Sequence, residues 1–407
     1  AIGAKGLLAL IARVPGHQLV SAINAYMRDH HTRRAQIEAL LEGLSQSSDP
    51  AAIQLLLAVS RRHRTASVQE KAKQLVADVA ERLGWGPEQL ADRTIPTAGL
   101  DERGEAELAY GARQFQLKLD TELKLQLYTA DGKPLKALPD ARKDEDAARV
   151  KEAKTQYSAS KKELAQVLSL QTGRLYEAMC AGRRWPLVDW RQYLAGHPIV
   201  GRLLQRLVWT ADADGRSWQF RPSEDGALLD ADDEELTLPE HAEIGLAHAA
   251  LLPAETVQRW LKHLKDYKIK PLFAQLDRPL PPTLAADAEQ IADRVGYCAD
   301  TFGFRGAFTK LGYQRAQAED GGCFYAYHKP YTGLGLRTVI EFTGSALPET
   351  NVAAALRELS FERLGRSSRR VKLSEVPPVL LAEAVADYHK VASIGAFDPQ
   401  WEQRSPW

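Results

Sequence analysis

The middle of the chain runs CAGRRWPLVDWRQYLAGHPIVGRLLQRLVW from Cys180 to Trp209 and holds three of the eight tryptophans, Trp185, Trp190 and Trp209. It also holds the arginines Arg183, Arg184, Arg191, Arg202 and Arg206. Pro186 and Pro198 each open a helical segment, because a first helical position has no use for the N–H that proline lacks. In the second segment Ile199, Leu203, Leu204, Leu207 and Val208 share one face, while Arg202 and Arg206 lie one turn apart on another. This pattern predicts a core-forming hinge joining a helical half to a mixed half. Its arginine side is a candidate anion site, in which Arg183 and Arg184 beside Trp185 hold an anion or stack on a nucleobase. The plainer alternative is a buried amphipathic helix whose arginines are solvated or pair with carboxylates.

Toward the N-terminus the apolar period is helical. Leu7, Leu8, Leu10 and Ile11 begin a face, Leu19, Ile23, Tyr26 and Met27 follow Pro15-Gly16, and Ile37, Leu40, Leu41 and Leu44 continue it. The turn formers of residues 45–50 break the pattern. Asp49 then caps a helix with Pro50 in its first turn and Ile53, Leu56, Leu57 and Val59 on its buried side. A further helix carries Val68, Ala72, Leu75, Val76, Val79 and Leu83 and stops at Gly84. Helix pairs of this kind resemble HEAT-type repeats, which stack because one pair cannot bury its own face; a simple bundle is the alternative. Past Asp92 the period becomes two. Phe115, Leu117 and Leu119 alternate with polar residues, as do Leu123, Leu125 and Leu127, and Asp131-Gly132 supplies a second turn before Leu135. The sign-alternating run 140–154 reads as the solvated start of a long helix through Leu164, Val167, Leu168, Leu175 and Met179, with an interruption near Gly173.

Toward the C-terminus, turns at Asp212–Gly215 and Asp225-Gly226 frame a β-like stretch with Trp218, Phe220 and Leu228-Leu229. A helix with Val257, Trp260, Leu261 and Leu264 follows. The proline-rich run 271–282 is then a candidate boundary. Beyond it the patterns predict a helix at 306–311, strands at 323–328 and 336–342, a helix at 351–359, and a last helix opened by Pro377-Pro378. The chain as a whole reads as α+β. N-terminal α-helical, HEAT-like repeats span 1–93 and a small antiparallel β segment spans 94–140. A central helical and β region with the Arg-Arg-Trp-Pro stretch spans 141–270, and a C-terminal α+β module spans 283–407.

Bulk properties narrow the function classes. Lysine plus arginine equals aspartate plus glutamate, 53 against 53, which argues against a uniformly basic nucleic-acid binder and leaves room for local patches. No apolar run approaches the roughly 18 residues that cross a bilayer, and the apolar opening 1–14 lacks a basic leader and a small-residue cleavage site. Cys180, Cys298 and Cys323 are far apart and form no CxxC pair. That usage fits a reducing compartment, so a cytoplasmic location is expected. Zinc-type ligand spacing is missing, and His30-His31 are adjacent on a helix with rings pointing apart. Asp230, Asp232, Asp233, Glu234 and Glu235 cluster, but without the closing glutamate of an EF-hand, so a solvated turn is expected there. Neither a metal nor a cofactor is expected.

Catalytic motifs are equally sparse. The chain has no GxxxxGK[ST], Gly333-Leu-Gly335 lacks the third glycine of a dinucleotide fingerprint, and no GxSxG occurs. A loose polar set remains: His328 after Phe324, Tyr325 and Tyr327, Glu341 on the next strand, and Glu383, Asp387 and His389 on the last helix. Glu383 and Asp387, four apart, share a face and could work as acid and base. On an exposed helix such pairs are common without chemistry. The run 363–372, with Arg363, Arg366, Arg369, Arg370 and Lys372 among Gly365, Ser367 and Ser368, is a candidate grip for phosphate or an acidic partner, or else a solvated linker.

Several longer motifs resemble a known family. Thr94-Ile-Pro-Thr-Ala-Gly-Leu, Arg183-Arg-Trp-Pro, Tyr193-Leu-Ala-Gly-His-Pro and Arg206-Leu-Val-Trp are similar to bacterial MolR-like proteins, described as molybdate metabolism regulators. So are Glu319-Asp-Gly-Gly322, Val376-Pro-Pro378 and Ala392-Ser-Ile394. The resemblance runs from about Pro50 onward and implies a region of unknown function rather than a chemistry. In that family, helical repeats often lie upstream and some members carry a nucleic-acid-associated WGR module, which is not recognisable at this chain's own N-terminus. Genes for MoxR-type AAA+ ATPases and von Willebrand A proteins often lie beside the family's own. The resemblance therefore implies a non-catalytic adaptor or regulator of larger protein partners. The alternatives are a nucleic-acid or nucleotide binder using the arginines, and an enzyme built on His328, Glu341, Glu383 and Asp387.

Overall fold

The computed structural model describes residues 16–30, 33–49, 51–53, 55–56, 59, 65–142, 145–278, 281–319, 321–365 and 369–404. The expected helix at 1–14, Pro50 and Leu57 lie outside these residues, as does Arg366. Two compact units divide the chain. Unit 1 takes the residues up to Gln171 and Leu187–Gln205, and unit 2 takes Thr172–Pro186 and everything from Arg206 onward. The Cys180–Trp209 stretch is thus shared between the two.

In unit 1, helices α1 (Gly16–Asp29), α2 (Arg34–Ser45) and α3 (Ala66–Arg82) bury the apolar faces expected of them, except that Leu83 lies past the end of α3 and is exposed. Leu19, Ile23, Ile37, Leu41, Leu44, Leu56, Val68, Ala72 and Leu75 belong to one core cluster. Asp49 accepts the Ala51 N–H at 2.8 Å, the cap its position called for. After α4 (Pro87–Arg93) comes a meander of β1 (Glu105–Tyr110), β2 (Arg113–Leu119), β3 (Leu125–Thr129) and β4 (Pro134–Leu135), in the order β1-β2-β3-β4. Leu117 pairs with Leu127 and Leu127 with Leu135, so the alternating leucines line one face. Arg113 grips Glu145 at 2.7 and 2.8 Å, and these hydrogen bonds hold the carboxyl down to about 2.

Helix α5 (Ala147–Ala181) is continuous; the interruption expected near Gly173 is absent, since one glycine costs only about 1 kcal/mol within a long helix. Pro186, expected to open a helix, instead ends the short strand β5 (Trp185–Pro186), and helical structure begins at Leu187. A π-helical turn, Trp190–Ala195, leads to α6 (Val200–Leu204). A Cβ on Gly201 would lie 2.4 Å from the Ala195 carbonyl oxygen, so only glycine lets the two turns approach this closely. His197 joins them. Its Nδ1 accepts the Ile199 and Val200 N–H groups at 3.2 Å, so its proton sits on Nε2, which meets the Ile95 carbonyl at 3.2 Å.

The described residues of unit 2 form two sheets. The smaller, in the order β5-β9-β6-β7-β8, comprises β5, β6 (Trp209–Ala213), β7 (Arg216–Pro222), β8 (Leu228–Leu229) and β9 (Glu243–Leu246). Trp209 lies between Phe220 and Leu246 on neighbouring strands and meets Trp185 edge-on at 6.0 Å. Helix α7 (Ala254–Asp266) packs Val257, Trp260 and Leu264 against Val208 and Leu276. The proline-rich run lies inside unit 2, where buried Gln275 replaces a missing strand neighbour. Its Oε1 accepts Val208 N–H at 3.0 Å and its Nε2 donates to the Val208 and Ala247 carbonyls at 2.9 Å.

The larger sheet runs β12-β13-β14-β15-β11-β17, with β10 and β16 also paired to β15. Its strands are β10 (Gln290–Ile291), β11 (Tyr297–Asp300), β12 (Gln314–Arg315), β13 (Cys323–Tyr331), β14 (Leu336–Ala346), β15 (Ala353–Arg363), β16 (Arg369–Arg370) and β17 (Ala396–Phe397). Strand β15 corrects an expectation, because residues 351–359 read as a helix. Ala353, Ala354 and Ala355 are good helix formers, but pairing with β14 and β11 and burial of Ala354, Ala355, Leu356, Leu359 and Phe361 outweigh a few tenths of a kcal/mol per residue. Helix α8 (Thr301–Lys310) follows β11. Helix α9 (Pro378–Ala392) is buried nearly all round.

Candidate functional site

The chemistry-bearing groups of unit 2 collect where α9 meets one face of the large sheet and the end of α5. In antiparallel strands, directly opposed residues share a face. Lys329 opposes Thr338, Tyr331 opposes Leu336 and Tyr327 opposes Ile340, so these six face one way. From α9 come Glu383, 0% exposed, and Asp387, 2% exposed. Tyr176 and Cys180 belong to the last turns of α5. His248 follows β9, and Arg278 lies three residues beyond Gln275 on the proline-rich run.

Each carboxylate has its own cation. Arg278 Nη2 donates to Glu383 Oε2 at 3.1 Å, and its Nε lies 2.7 Å from Oε1 within the same ion pair. His248 Nδ1 accepts the Ala250 N–H at 3.1 Å, which puts its proton on Nε2, 3.3 Å from Glu383 Oε1. Burial alone would raise the Glu383 carboxyl, yet the His248 hydrogen bond and the Arg278 charge together hold it below the usual carboxylate range. Asp387 behaves oppositely. Lys329 is its partner, with Nζ 3.4 Å from Oδ2, but burial dominates and pushes its carboxyl up. Lys329 Nζ also sits 5.0, 5.6 and 5.8 Å from the ring centres of Tyr176, Tyr313 and Tyr331, a cage of electron-rich faces. The buried Tyr313 hydroxyl faces Thr338 and Asp387, and the buried Tyr331 hydroxyl faces Tyr176. Burial drives the Cys180 thiol up to about 12, so at neutral pH it is a small apolar side chain rather than a nucleophile.

Of the residues expected from the sequence, Glu383 and Asp387 enter this cluster, but on a buried helix rather than an exposed one. His328 and Glu341 do not enter it. His328 opposes Val339 and Glu341 opposes Ala326, which places both on the other face of the sheet. There Arg370 donates to Glu341 at 2.9 Å and Arg337 to Glu362 at 2.7 Å. Burial, with the Arg337 charge beside it, lowers the His328 imidazole. His389 pairs with Asp293 at 2.7 Å.

The candidate anion-binding arginines meet local fates. Arg183 stacks over Trp185 at 4.7 Å. Arg184 donates to Thr210 at 2.8 Å and pairs with Asp212 at 2.6 Å, and a Cβ on Gly245 would meet its guanidinium at 2.5 Å and make the arginine shift. Arg191 is exposed, while Arg202 and Arg206 are half-buried. Arg369 pairs backbone to backbone with Arg363 and stays exposed. The acidic turn is tied down by Arg259 on Asp232 and by His263, whose Nδ1 lies 3.5 Å from Asp233. Among the described residues, no group of three or more His, Cys, Asp or Glu is placed to hold a metal ion, and no helix is long and apolar enough to cross a membrane.

The sequence reading missed Tyr176, His248, Arg278, Tyr313, Lys329 and Tyr331. One signal was available: in PVLLAEAVADYHKVA the two carboxylates are embedded in apolar residues on every side, which marks a buried pair in need of cations.

Comparisons with known proteins supply a relationship without a chemistry. A family model described as a domain of unknown function (DUF4132) matches residues 132–313. The uncharacterized protein YehI of Escherichia coli (strain K12) is 32% identical over 236 residues, which is 57% of this chain and 19% of that protein. The chain thus spans about a fifth of the length of the relative it matches. No solved structure matches. What the chain is similar to is a family region of unknown function within a much longer protein.

Proposed function

We propose that this chain is a cytoplasmic, non-catalytic interaction or regulatory module of the MolR-like kind, with HEAT-like helices and a mixed region that dock larger protein partners. An AAA+ ATPase acting with a von Willebrand A protein is the partner set that the resemblance suggests. The observation carrying this reading is the sealing of the charge cluster. Glu383 is 0% exposed and its two oxygens are occupied by Arg278 and His248. Groups held this way fix one arrangement of packed elements. An enzyme reading draws on the opposite displacements of Glu383 and Asp387, since paired acids with separated affinities for protons recur in catalysis, but burial of both carboxylates outweighs it. The nucleic-acid alternative is weakened because Arg184 and Arg370 are already ion-paired.

The test is affinity purification of the natural full-length protein, scored together for proteins, nucleic acid and small molecules. A protein partner that remains in stoichiometric amount after nuclease treatment is expected. Retained nucleic acid with no protein partner, or a co-purifying metabolite that is turned over, would overturn the reading.

A further inference from the structure

Unit 1 carries an open groove of about 650 Å³ between α5 and the outer half of the small sheet. One wall is a single face of α5, with Tyr157, Lys161, Leu164, Ala165 and Leu168 at helical spacing. The other is formed by β3, β4 and their flanks, with Leu125, Leu127 and Leu135 as an apolar floor and Lys124 and Lys136 at the rim. None of the lining residues is acidic. A second depression of about 620 Å³ further toward the start of α5 repeats the bias: among the described residues it is lined by Lys151, Lys154 and Lys162 and by no acidic group. In a chain whose charges cancel, 53 against 53, two hollows along α5 lined among the described residues by lysine and by no carboxylate are a local asymmetry.

We propose that this groove binds an acidic amphipathic helix of a protein partner. The proposal rests on the interaction reading above and names the chemistry of what docks. Leucine-type anchors at i, i+3 or i+4 and i+7 would lie against the half-buried Leu123, Leu135 and Leu168, with flanking glutamates or aspartates meeting Lys124, Lys136 and Lys161. An added strand is disfavoured by the sequence of the free edge. β4 is two residues long, and Pro134 there has no N–H to donate to an incoming strand. A nucleic acid is disfavoured by the floor, which offers leucines where unpaired bases need stacking platforms; Tyr157 is the one aromatic lining residue, and Lys161 already lies 5.2 Å over its ring.

The experiment is fluorescence anisotropy with the full chain and a labelled helical peptide of about 18 residues, some five turns, bearing leucines on one stripe and glutamates beside it. The acidic peptide is expected to bind more tightly as salt falls, and Lys136→Glu with Lys161→Glu to weaken it about tenfold or more. A peptide with lysines in place of the glutamates should regain affinity for that double variant alone, which damaged folding could not produce. Lys136→Gln with Lys161→Gln, accompanied by an unchanged thermal melt, controls for folding. The inference is overturned if the acidic peptide binds no better than its scrambled or basic counterpart, or if charge reversal leaves its affinity unchanged. A single-stranded DNA or an anionic vesicle that displaces the peptide from the groove would also overturn it. A natural partner that is captured yet indifferent to the double variant would remove the groove and leave the interaction reading standing.

Discussion

The charge cluster of unit 2 and the groove of unit 1 use the same kinds of side chain in opposite ways. Behind α9, Glu383 and Asp387 are cut off from water and each is matched to a cation, with Lys329 18% and Arg278 26% exposed in their side chains. Along α5, Lys124, Lys136 and Lys161 stand in solvent around leucines, without a carboxylate in the lining. A charge removed from water loses several kcal/mol of solvation and must recover it locally, so it is committed to the fold. A charge left in water contributes little to stability and remains available to a partner. The contrast separates what holds this protein together from what it can offer to another.

The largest expected effect falls on the sealed side. Arg278→Met leaves the Glu383 carboxylate buried without its main cation, and unfolding in urea should show a loss of about 3–5 kcal/mol. A loss below about 1 kcal/mol would break the comparison, because it would mean that the cluster is hydrated. Next comes a buried group in the groove's own unit. Burial lowers the His197 imidazole from its ordinary 6.5 to about 4. The unfolded chain therefore takes up a proton that the folded chain refuses. Stability is fully present above pH 6.5, falls as pH drops from 6.5 towards 4, and levels off below that. The difference is about 3 kcal/mol, read as the pH dependence of the urea midpoint, and His197→Asn should flatten it. Tyr331→Phe removes the hydroxyl that faces Tyr176, so its stability should fall by about 1 kcal/mol. An unchanged urea midpoint would show that this contact contributes nothing to the cluster. Smallest of all, Lys136→Ala and Lys161→Ala should each change the unfolding free energy by no more than about 0.5 kcal/mol. A clear loss would move these lysines from the available class to the committed one.

How much of this was legible depended on whether the signal was local. The period of two in Phe115–Leu119 and Leu123–Leu127 gives the meander, because each residue's face follows from its parity once a turn is placed. The capping by Asp49 and the burial of Ile199, Leu203, Leu204, Leu207 and Val208 were readable for the same reason. The candidate site was only half visible. Glu383 and Asp387 announce themselves by a spacing of one helical turn, but the cations that complete them lie more than fifty residues away in sequence. Parity also decided between neighbours: Lys329 faces α9 and His328 does not, and a one-residue difference at this point separates a cluster member from a residue on the opposite face.

The sequence by itself determined the α+β composition, the N-terminal helices and the small sheet, since each rests on a period, a cap or a turn contained within about a dozen residues. Only the tertiary structure decided that residues 353–363 form the central strand, because two flanking strands supply pairing that helix propensity cannot match. It likewise placed Arg278, His248 and Lys329 against the two carboxylates, because solvation energy acts on whatever the fold brings together, at any separation along the chain.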